Sequence, residues 1–279
     1  MKSLVLAIIS ILSFAEVDEN FTYKCNYREC LMTLNTMLSE CESPVDKAEV
    51  YWRLSRVSLM LGEEQTDKDE KIRHLESGIA FAELGKKSDP KNIQCHMWYC
   101  ANVGRKCQTE TLIEQAAAVP AMMDALGIIL NEFNRTDCSE AWQALSEIYH
   151  HHPFKSDDSA INYARMAALN IPDDELRLST YIYLAELLYK RGWSQPKRAS
   201  QIQANMSRFT QTTKSNIEKY AYHDGSCPSL PWTESLISSI SDKEEADAVL
   251  AYAKTKYDEA DRHTPVDKKD FEILMKIMK

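Results

Sequence analysis

The segment AWQALSEIYHHHP at residues 141–153 holds three consecutive histidines, which are the most conspicuous candidate metal ligands in the chain. Successive residues of a helix point about 100° apart, so His150 to His152 cannot all face one ion. Residues three or four apart do share a face, as Glu147 and His150 do. We therefore interpret the histidines as the solvated end of a helix that runs into Pro153. The sequence predicts no metal site.

Other catalytic arrangements are also missing from the sequence. It has no G-x-S-x-G, no H-E-x-x-H, no phosphate-binding glycine loop and no dinucleotide fingerprint. Cys95 and His96 are neighbours whose side chains diverge on a helix, so they cannot act as a nucleophile and its base. The acidic runs 67–70 and 242–245 are typical of solvated helix starts, where anions complement the helix dipole. These observations predict a protein that is not an enzyme and needs no cofactor.

Cysteine usage leaves two alternatives open. The eight cysteines stand at positions 25, 30, 41, 95, 100, 107, 138 and 227. In an exported protein an even number favours disulfides, with Cys30 and Cys41 a candidate pair across a helix hairpin. The alternative is reduced cysteines packed as small apolar residues. A zinc site is not expected, because no Cys-x2-Cys pair occurs.

The N-terminus predicts export. Lys2 precedes an apolar segment from Leu4 to Phe14, and Ser13-Phe14-Ala15 has the small–x–small form of a cleavage site. This segment is shorter than the ~20 residues that span a bilayer, and no second spanning segment is expected. We expect an exported protein, periplasmic or extracytoplasmic in a bacterium. Membrane association is expected only if the N-terminal segment is retained.

Three tripeptides match the acceptor pattern for N-linked glycans. They begin at Asn20, Asn134 and Asn205. The pattern is short and occurs often by chance, and it matters only in a chain that a eukaryote exports.

Composition favours helices and argues against nucleic-acid binding. Glycine and proline are scarce, at 7 and 9 residues, while Ala, Leu, Met, Glu and Lys dominate. The formal net charge of −9 disfavours contact with phosphates. We therefore expect no nucleic-acid partner.

A repeated helix-pair pattern underlies the histidine segment. Trp142, Leu145, Ser146 and Tyr149 have the spacing of a tetratricopeptide first helix. The second helix of this unit follows. Its small residues are spaced by four and then three positions, and a proline comes five positions later: Ala160, Ala164, Ala167 and Pro172. Small residues on one stripe let the first helix approach closely. Ser159 is expected to cap the second helix.

The pattern recurs along the chain. An earlier unit has its first helix in YWRLSRVSLMLG and its second at Gly78, Ala82, Gly85 and Pro90, separated by a long polar insertion at 63–70. HMWYCANVG, residues 96–104, begins another unit whose second helix is expected within 112–131. YIYLAELLYKRG begins a fourth, with a second helix at about 196–209 that fits less well.

These residues resemble the tetratricopeptide repeat family. Over about 48–193, the combination of YWRLSR, ESGIAFAELGKKSDP, CHMWYCANVG and YHHHP is similar to the regulator of microtubule dynamics family and its bacterial relatives. Bacterial chains of this kind also resemble the tetratricopeptide proteins associated with TRAP transporters. The resemblance implies an all-α fold, a right-handed superhelical solenoid of antiparallel helix pairs with a helical C-terminal cap.

The expected organisation has four parts. Residues 1–15 form a signal peptide, 16–47 an N-terminal helical cap, 48–210 the helix-pair repeats and 211–279 a C-terminal capping region. Solenoids need such terminal caps, because an end repeat would otherwise expose its apolar face.

A concave groove lined by the first helices is the expected binding surface. In stacked helix pairs its wall is formed by residues at fixed places after the first aromatic position, and these mix aromatic, apolar and charged side chains. The expected contacts to a partner are Trp52, Arg56, Met97, Arg105, Gln143, Glu147, His151, Ile182, Glu186 and Lys190.

The sequence therefore predicts a non-catalytic scaffold or adaptor that binds a protein or peptide in its groove. An accessory role in a transport system is the favoured form. Two alternatives remain: an adaptor associated with the membrane or the cytoskeleton, and a carrier of a small or lipidic ligand within the solenoid.

Overall fold

A computed structural model of the chain describes residues 14–151, 156–226 and 229–279. These residues are predominantly helical, and within them β-structure is limited to one isolated bridge between Leu230 and Thr233. The predicted all-α class is confirmed. The predicted signal peptide lies almost wholly outside the described residues, as do His152 and Pro153.

The chain forms two compact units, which divide between Ala125 and Leu126. The described helices of the first unit are α1 (residues 14–22), α2 (Tyr27–Glu40), α3 (Pro44–Glu63), α4 (Lys68–Ser88), α5 (Ile93–Cys107) and most of α6 (Leu112–Gly127). Pro120 lies inside α6. The prediction of a helix within 112–131 is confirmed.

The second unit begins with the end of α6 and a short π-helical segment at Ile128–Glu132. It continues with α7 (Ser139–His151), α8 (Asp157–Leu169), α9 (Leu178–Arg191), α10 (Gln195–Gln211), α11 (Asn216–Tyr220), α12 (Asp242–Glu259) and α13 (Pro265–Ile277). Two short 3-10 turns, His223–Ser226 and Ile237–Ser239, lie between α11 and α12.

Side-chain caps fix where several helices begin. Ser43, Asp67 and Asn92 each accept a backbone N–H at the start of α3, α4 and α5. The cap of α8 is Ser156, so the prediction of Ser159 as its cap is wrong: the helix begins three residues earlier than the small-residue pattern indicates. Half of the polar insertion at 63–70 lengthens α3 and α4, and its other four residues, 64–67, connect the two helices.

In the first unit, α3 packs against α2, α4 and α5. The Ser55 hydroxyl donates to the backbone carbonyl of Gly78 on α4, with 2.8 Å between the oxygens. A Cβ atom at Gly78 would lie 2.1 Å from Oδ1 of Asn102, so only glycine allows this close approach of α4 and α5. Asn102 in turn donates to the Ser55 hydroxyl over 3.0 Å.

In the second unit, α8 packs against both α7 and α9. The Ser146 hydroxyl donates to the carbonyl of Ala160, with 2.6 Å between the oxygens. Trp142 is fully buried and stacks on Tyr163 of α8 with ring centroids 5.7 Å apart. Ser146 and Ala160 hold the repeat positions that Ser55 and Gly78 hold in the first unit, so the two predicted helix pairs share one contact.

The C-terminal helices pack mainly on α9, through α12 and α13. The prediction that the acidic run 242–245 is solvated is wrong for two of its residues, since Asp242 and Glu245 are fully buried. Their partners are arginines of α8, α9 and α10, which the sequence pattern did not pair with them. The run 67–70 is exposed, as predicted.

Cys30 and Cys41 are free thiols, so the candidate disulfide between them is not formed and the alternative of reduced cysteines holds for this pair. The Cys30 thiol is buried and donates to the carbonyl of Val17 over 3.5 Å. The other cysteines in the described ranges are free as well, and Cys227 lies outside those ranges.

Candidate functional site

The predicted groove residues of the first unit lie mostly in its interior. Trp52 and Met97 are each 8% exposed. Arg105 is exposed and donates to Oε1 of Gln108 over 3.1 Å. The structure therefore leaves Arg105 as the one open position among the predicted contacts of this unit.

Arg56, the remaining predicted contact of the first unit, is covered by α1. Its guanidinium pairs with the carboxylate of Asp18 and lies 3.8 Å from the ring centre of Phe21. Arg53 pairs with the same carboxylate over 2.8 Å and lies 4.2 Å from the ring centre of Phe14. The chain's own N-terminal helix thus occupies this face of α3.

The electrostatics of this contact favour the ion pairs. Burial alone would raise the pKa of the Asp18 carboxyl, but the guanidinium groups of Arg53 and Arg56 outweigh burial and lower that pKa below its ordinary value. Burial lowers the pKa of Arg56, and Asp18 opposes that effect. The carboxylate compensates two guanidinium groups whose side chains are largely buried.

In the second unit, most predicted contacts face solvent on α7 and α9. Glu147 and His151 on α7 are exposed, as are Glu186 and Lys190 on α9. The other two predicted contacts of this unit are less exposed. Gln143 is half-buried and donates to Glu147 over 3.0 Å. Ile182 lies in the core, with 6% of its surface exposed.

His150 connects α7, α8 and α9. Its Nδ1 lies 3.3 Å from Oδ1 of Asp157, and its Nε2 lies 3.4 Å from Nζ of Lys190. Burial, and next the charge of Lys190, lower the pKa of His150 below its ordinary value, against the opposing effect of Asp157. A neutral imidazole suits both contacts, since it donates from Nδ1 to the carboxylate and accepts at Nε2 from the ammonium.

Two tyrosines of α9 extend this surface. The His150 ring lies edge-on to Tyr183, with ring centres 6.3 Å apart. Tyr189 is partly exposed and donates to Oδ1 of Asp247 over 2.5 Å. Burial and the neighbouring carboxylate raise the pKa of Tyr189 to about 12. We define the α7–α9 surface as the side chains Gln143, Glu147, His150, His151, Tyr183, Glu186, Tyr189 and Lys190.

One small cleft in the second unit bears on the carrier alternative. It encloses no space for a water-sized molecule and is lined by Arg165, Arg191, Trp193, Arg198, Gln201, Ile202 and Asp224. Ligand pockets usually enclose roughly 300–1,000 Å³ and are mainly apolar. This cleft is smaller and is lined mostly by charged and polar groups, which fit a lipid chain poorly.

The same arginines belong to a buried ionic network. Arg165 donates to both oxygens of Glu245 over 2.8 Å, and Arg198 donates to Oε2 of the same carboxylate over 2.6 Å. Arg191 donates to both oxygens of Asp242 over 2.7 Å. Arg191 also pairs with Asp158 over 3.1 Å, so three carboxylates balance three guanidinium groups. The network therefore joins α8, α9 and α10 to α12 and leaves little net charge for a ligand.

The described residues contain no group of three or more His, Cys, Asp and Glu side chains placed to hold a metal ion. They do contain one segment, Ile113–Glu132, that is long and apolar enough to cross a membrane, with a mean hydropathy of 1.4 and 28% of the window buried. This corrects the expectation of no second candidate span. Length and composition alone are weak evidence of membrane insertion.

The fold and contacts above define an all-helical protein in which two helix pairs repeat one contact. The family model described as Regulator of microtubule dynamics protein 1-3 matches residues 13–119, less than half of the chain. The matched range takes in α1 to α5 and the first half of α6, and so includes the contact of α1 with α3. No curated protein matches the chain.

Proposed function

We propose that the protein is a non-catalytic scaffold or adaptor built from tetratricopeptide-like helix pairs. The repeated serine contact supports this, because Ser55 and Ser146 hold equivalent positions and donate to equivalent carbonyls. In this proposal the pairs are antiparallel and belong to a right-handed solenoid, with residues 211–279 as its C-terminal cap. The match to the regulator of microtubule dynamics family, at 13–119, agrees with the sequence resemblance.

The α7–α9 surface is the proposed contact for a protein or peptide partner. One observation carries this proposal: four of the predicted groove residues, Glu147, His151, Glu186 and Lys190, are exposed on neighbouring helices. Exposed charged groups beside partly buried tyrosines are common at protein interfaces. Aromatic side chains contribute much of the contact energy there, and polar groups form the surrounding rim. In the first unit α1 covers the corresponding face, so that part of the groove binds the chain's own helix.

A charge-reversal experiment tests this surface. The double variant Glu147→Lys, Glu186→Lys is compared with Glu259→Lys, Glu272→Lys, which reverses two exposed carboxylates on α12 and α13. Partners are captured from an extract of the source organism and quantified by mass spectrometry. We expect the first variant to lose at least tenfold in capture of a specific partner and the second to keep it. Equal capture by both variants would overturn the α7–α9 surface.

Site-specific crosslinking gives a second measurement. A photoreactive residue at position 186 should crosslink the captured partner, whereas one at position 259 should not. Crosslinks from both positions, or only from 259, contradict the proposal.

The location of the protein is a separate proposal. The apolar segment at 4–14 supports export by a cleaved signal peptide, and an accessory of a transport system is then the favoured role. The family match supports the alternative of a membrane- or cytoskeleton-associated adaptor. N-terminal sequencing of the mature chain separates them, since a chain that begins at Glu16 supports export and a retained apolar segment supports the alternative.

A further inference from the structure

The three candidate glycan acceptors have different surroundings in the folded chain. Asn20 and Asn205 are buried, at 8% and 1% exposure, whereas Asn134 is exposed. An N-linked glycan is bulky and must project into solvent. The three sites are therefore not equivalent, although their sequence patterns are.

Asn205 has no room for a glycan. Its Nδ2 donates to Oδ1 of Asp224 over 2.9 Å, and Gln201 donates to its Oδ1 over 3.4 Å. Gly225 packs closely against the same residue, since a Cβ atom at Gly225 would lie 2.4 Å from the backbone carbonyl of Asn205. A sugar on Nδ2 would break the contact with Asp224 and separate α10 from the 3-10 turn.

Asn20 is held by contacts at the end of α1. Its Oδ1 accepts from Nζ of Lys24 over 2.7 Å, and its backbone carbonyl accepts from the amide of Asn26 over 3.1 Å. Two residues earlier, Asp18 binds Arg53 and Arg56. A glycan at this buried position would lift α1 from α3.

Asn134 lies in the turn that follows the π-helical segment. Its φ of 52° is in the left-handed region, which asparagine tolerates better than most residues. Its Oδ1 accepts from Nδ2 of Asn216 over 2.9 Å. The side chain is exposed, and no hydrogen bond from its Nδ2 is found among the described residues. A substituent on that nitrogen would extend into solvent and leave the contact with Asn216 intact.

We propose that Asn134 carries an N-linked glycan, and that it is the one site of the three that the fold accommodates. The proposal rests on the export proposed above, taken as entry into a eukaryotic secretory pathway. The donor is an oligosaccharide carried on a lipid diphosphate. Nδ2 of Asn134 forms a bond to the anomeric carbon as the bond from that carbon to the diphosphate oxygen breaks. The amide loses one proton, and the lipid diphosphate leaves.

The timing of this reaction has a consequence for folding. Acceptors are modified on the unfolded chain, before burial can protect Asn20 or Asn205. A chain that received a glycan at either position would be unable to complete the α1 or α10 contacts. The folded, secreted fraction should therefore be enriched in chains that carry a glycan at Asn134 alone.

The test removes each acceptor pattern without changing the asparagine. The variants Thr22→Ala, Thr136→Ala and Ser207→Ala keep all three amide side chains in place. Each is expressed in eukaryotic cells behind a cleavable secretory leader that replaces residues 1–15, so that entry into the secretory pathway is assured. The secreted protein is treated with an amidase that releases N-glycans, and the modified residues are located by mass spectrometry.

The expected result is one glycan on the secreted protein, at Asn134, which Thr136→Ala removes and the other two variants keep. Secreted, folded protein with a glycan at Asn20 or Asn205, or with none at Asn134, would overturn the proposal. The full-length chain with its own N-terminus is expressed in parallel. Failure of that chain to enter the pathway would count against export only, because the leader-bearing chain tests the acceptor site independently.

Discussion

Ser55 and Ser146 show what a single small side chain contributes to a helix pair. Each hydroxyl donates to a carbonyl of the facing helix, over 2.8 and 2.6 Å respectively. Both serines are fully buried. A larger residue would push the two helices apart, and alanine would keep the spacing but lose the hydrogen bond. The same residue type thus satisfies a steric and a polar requirement at both repeats.

Replacing either serine by alanine removes the shared hydrogen bond. We expect Ser55→Ala and Ser146→Ala each to lower the free energy of unfolding by about 1 kcal/mol for that bond, the usual net value of one intramolecular hydrogen bond. Ser55→Ala should lower it further, because it also removes the hydroxyl that accepts from Asn102. Urea unfolding followed by circular dichroism measures this change. The control is Ser207→Ala, at an exposed position on α10, which should be neutral. A large loss for one buried serine and none for the other would contradict their equivalence.

His223 is a buried base with no described hydrogen bond to either ring nitrogen. Burial, and next the charge of Arg165, lower its pKa from 6.5 to about 4. The unfolded chain therefore binds a proton at a higher pH than the folded chain does. The stability that depends on neutral His223 is complete above pH 6.5 and is lost as the pH falls toward 4.

The variant His223→Phe should remove this pH dependence, because a phenyl ring has no group to protonate. At about 1.4 kcal/mol per pH unit, the wild type should lose on the order of 3 kcal/mol more than the variant between pH 6.5 and 4. Urea unfolding at a series of pH values gives both curves. Parallel curves for the two proteins would show that His223 does not titrate in this range.

At the scale of elements, α1 illustrates how a terminal helix is held. Its Phe14, Val17, Asp18 and Phe21 are spaced at three- and four-residue intervals, so they lie on one face. Val17 is buried among apolar residues of α2 and α3, while Asp18 compensates two arginines. Apolar burial and charge compensation therefore act together at this contact.

Removing the carboxylate should loosen α1. In Asp18→Ala, Arg53 and Arg56 keep largely buried guanidinium groups without their carboxylate, so docking of α1 becomes less favourable. We expect amide hydrogen exchange across residues 14–22 to accelerate at least tenfold. Glu16→Ala, at an exposed position of the same helix, is the matched control and should leave exchange unchanged. Equal exchange in the two variants would mean that apolar contacts alone hold α1.

At the scale of the whole molecule, burial should determine how fast each cysteine thiol reacts. Cys30, Cys95 and Cys100 are at most 1% exposed, and burial raises the pKa of Cys95 to about 12. A thiol reacts as its thiolate, so burial and a raised pKa both suppress its reactivity.

We expect these three thiols to react with iodoacetamide at pH 8 at least a hundredfold more slowly in the native protein than in guanidinium. Peptide mapping by mass spectrometry measures each site. In guanidinium without reductant, all seven cysteines that the structure shows as free should be alkylated. Recovery of a disulfide-linked peptide containing two of them would contradict the structure.

Local patterns sufficed to predict much of the helical structure. The spacing of Trp142, Leu145 and Ser146 against Ala160 predicted the packed pair α7 and α8, because small and large residues at helical intervals specify close approach. The cap of α8 could not be placed as well, since Ser156 and Ser159 are equally suitable residue types. Within the predicted cap at 16–47, the turn that separates α1 from α2 was not predicted.

The candidate site was harder to predict. Helical spacing predicted Trp52 and Arg56 as groove contacts just as it predicted Glu147 and Glu186. Spacing determines only which residues share a face of a helix. Which faces stay open depends on distant segments: α1 covers the face of α3, whereas the α7–α9 surface remains exposed. In the same way, Asp242 and Glu245 were predicted to be solvated residues at a helix start. Their burial is possible because Arg165 and Arg198, from other helices, pair with them.

The sequence by itself determined the helical class, the repeated helix pairs and the absence of recognisable catalytic motifs, because periodicity and residue type act over a few turns of chain. The tertiary structure decided which surfaces are covered, which carboxylates are buried and which of the three acceptor asparagines is exposed. Burial and charge pairing join residues dozens of positions apart, as Arg165 and Glu245 are, and no local spacing records those contacts.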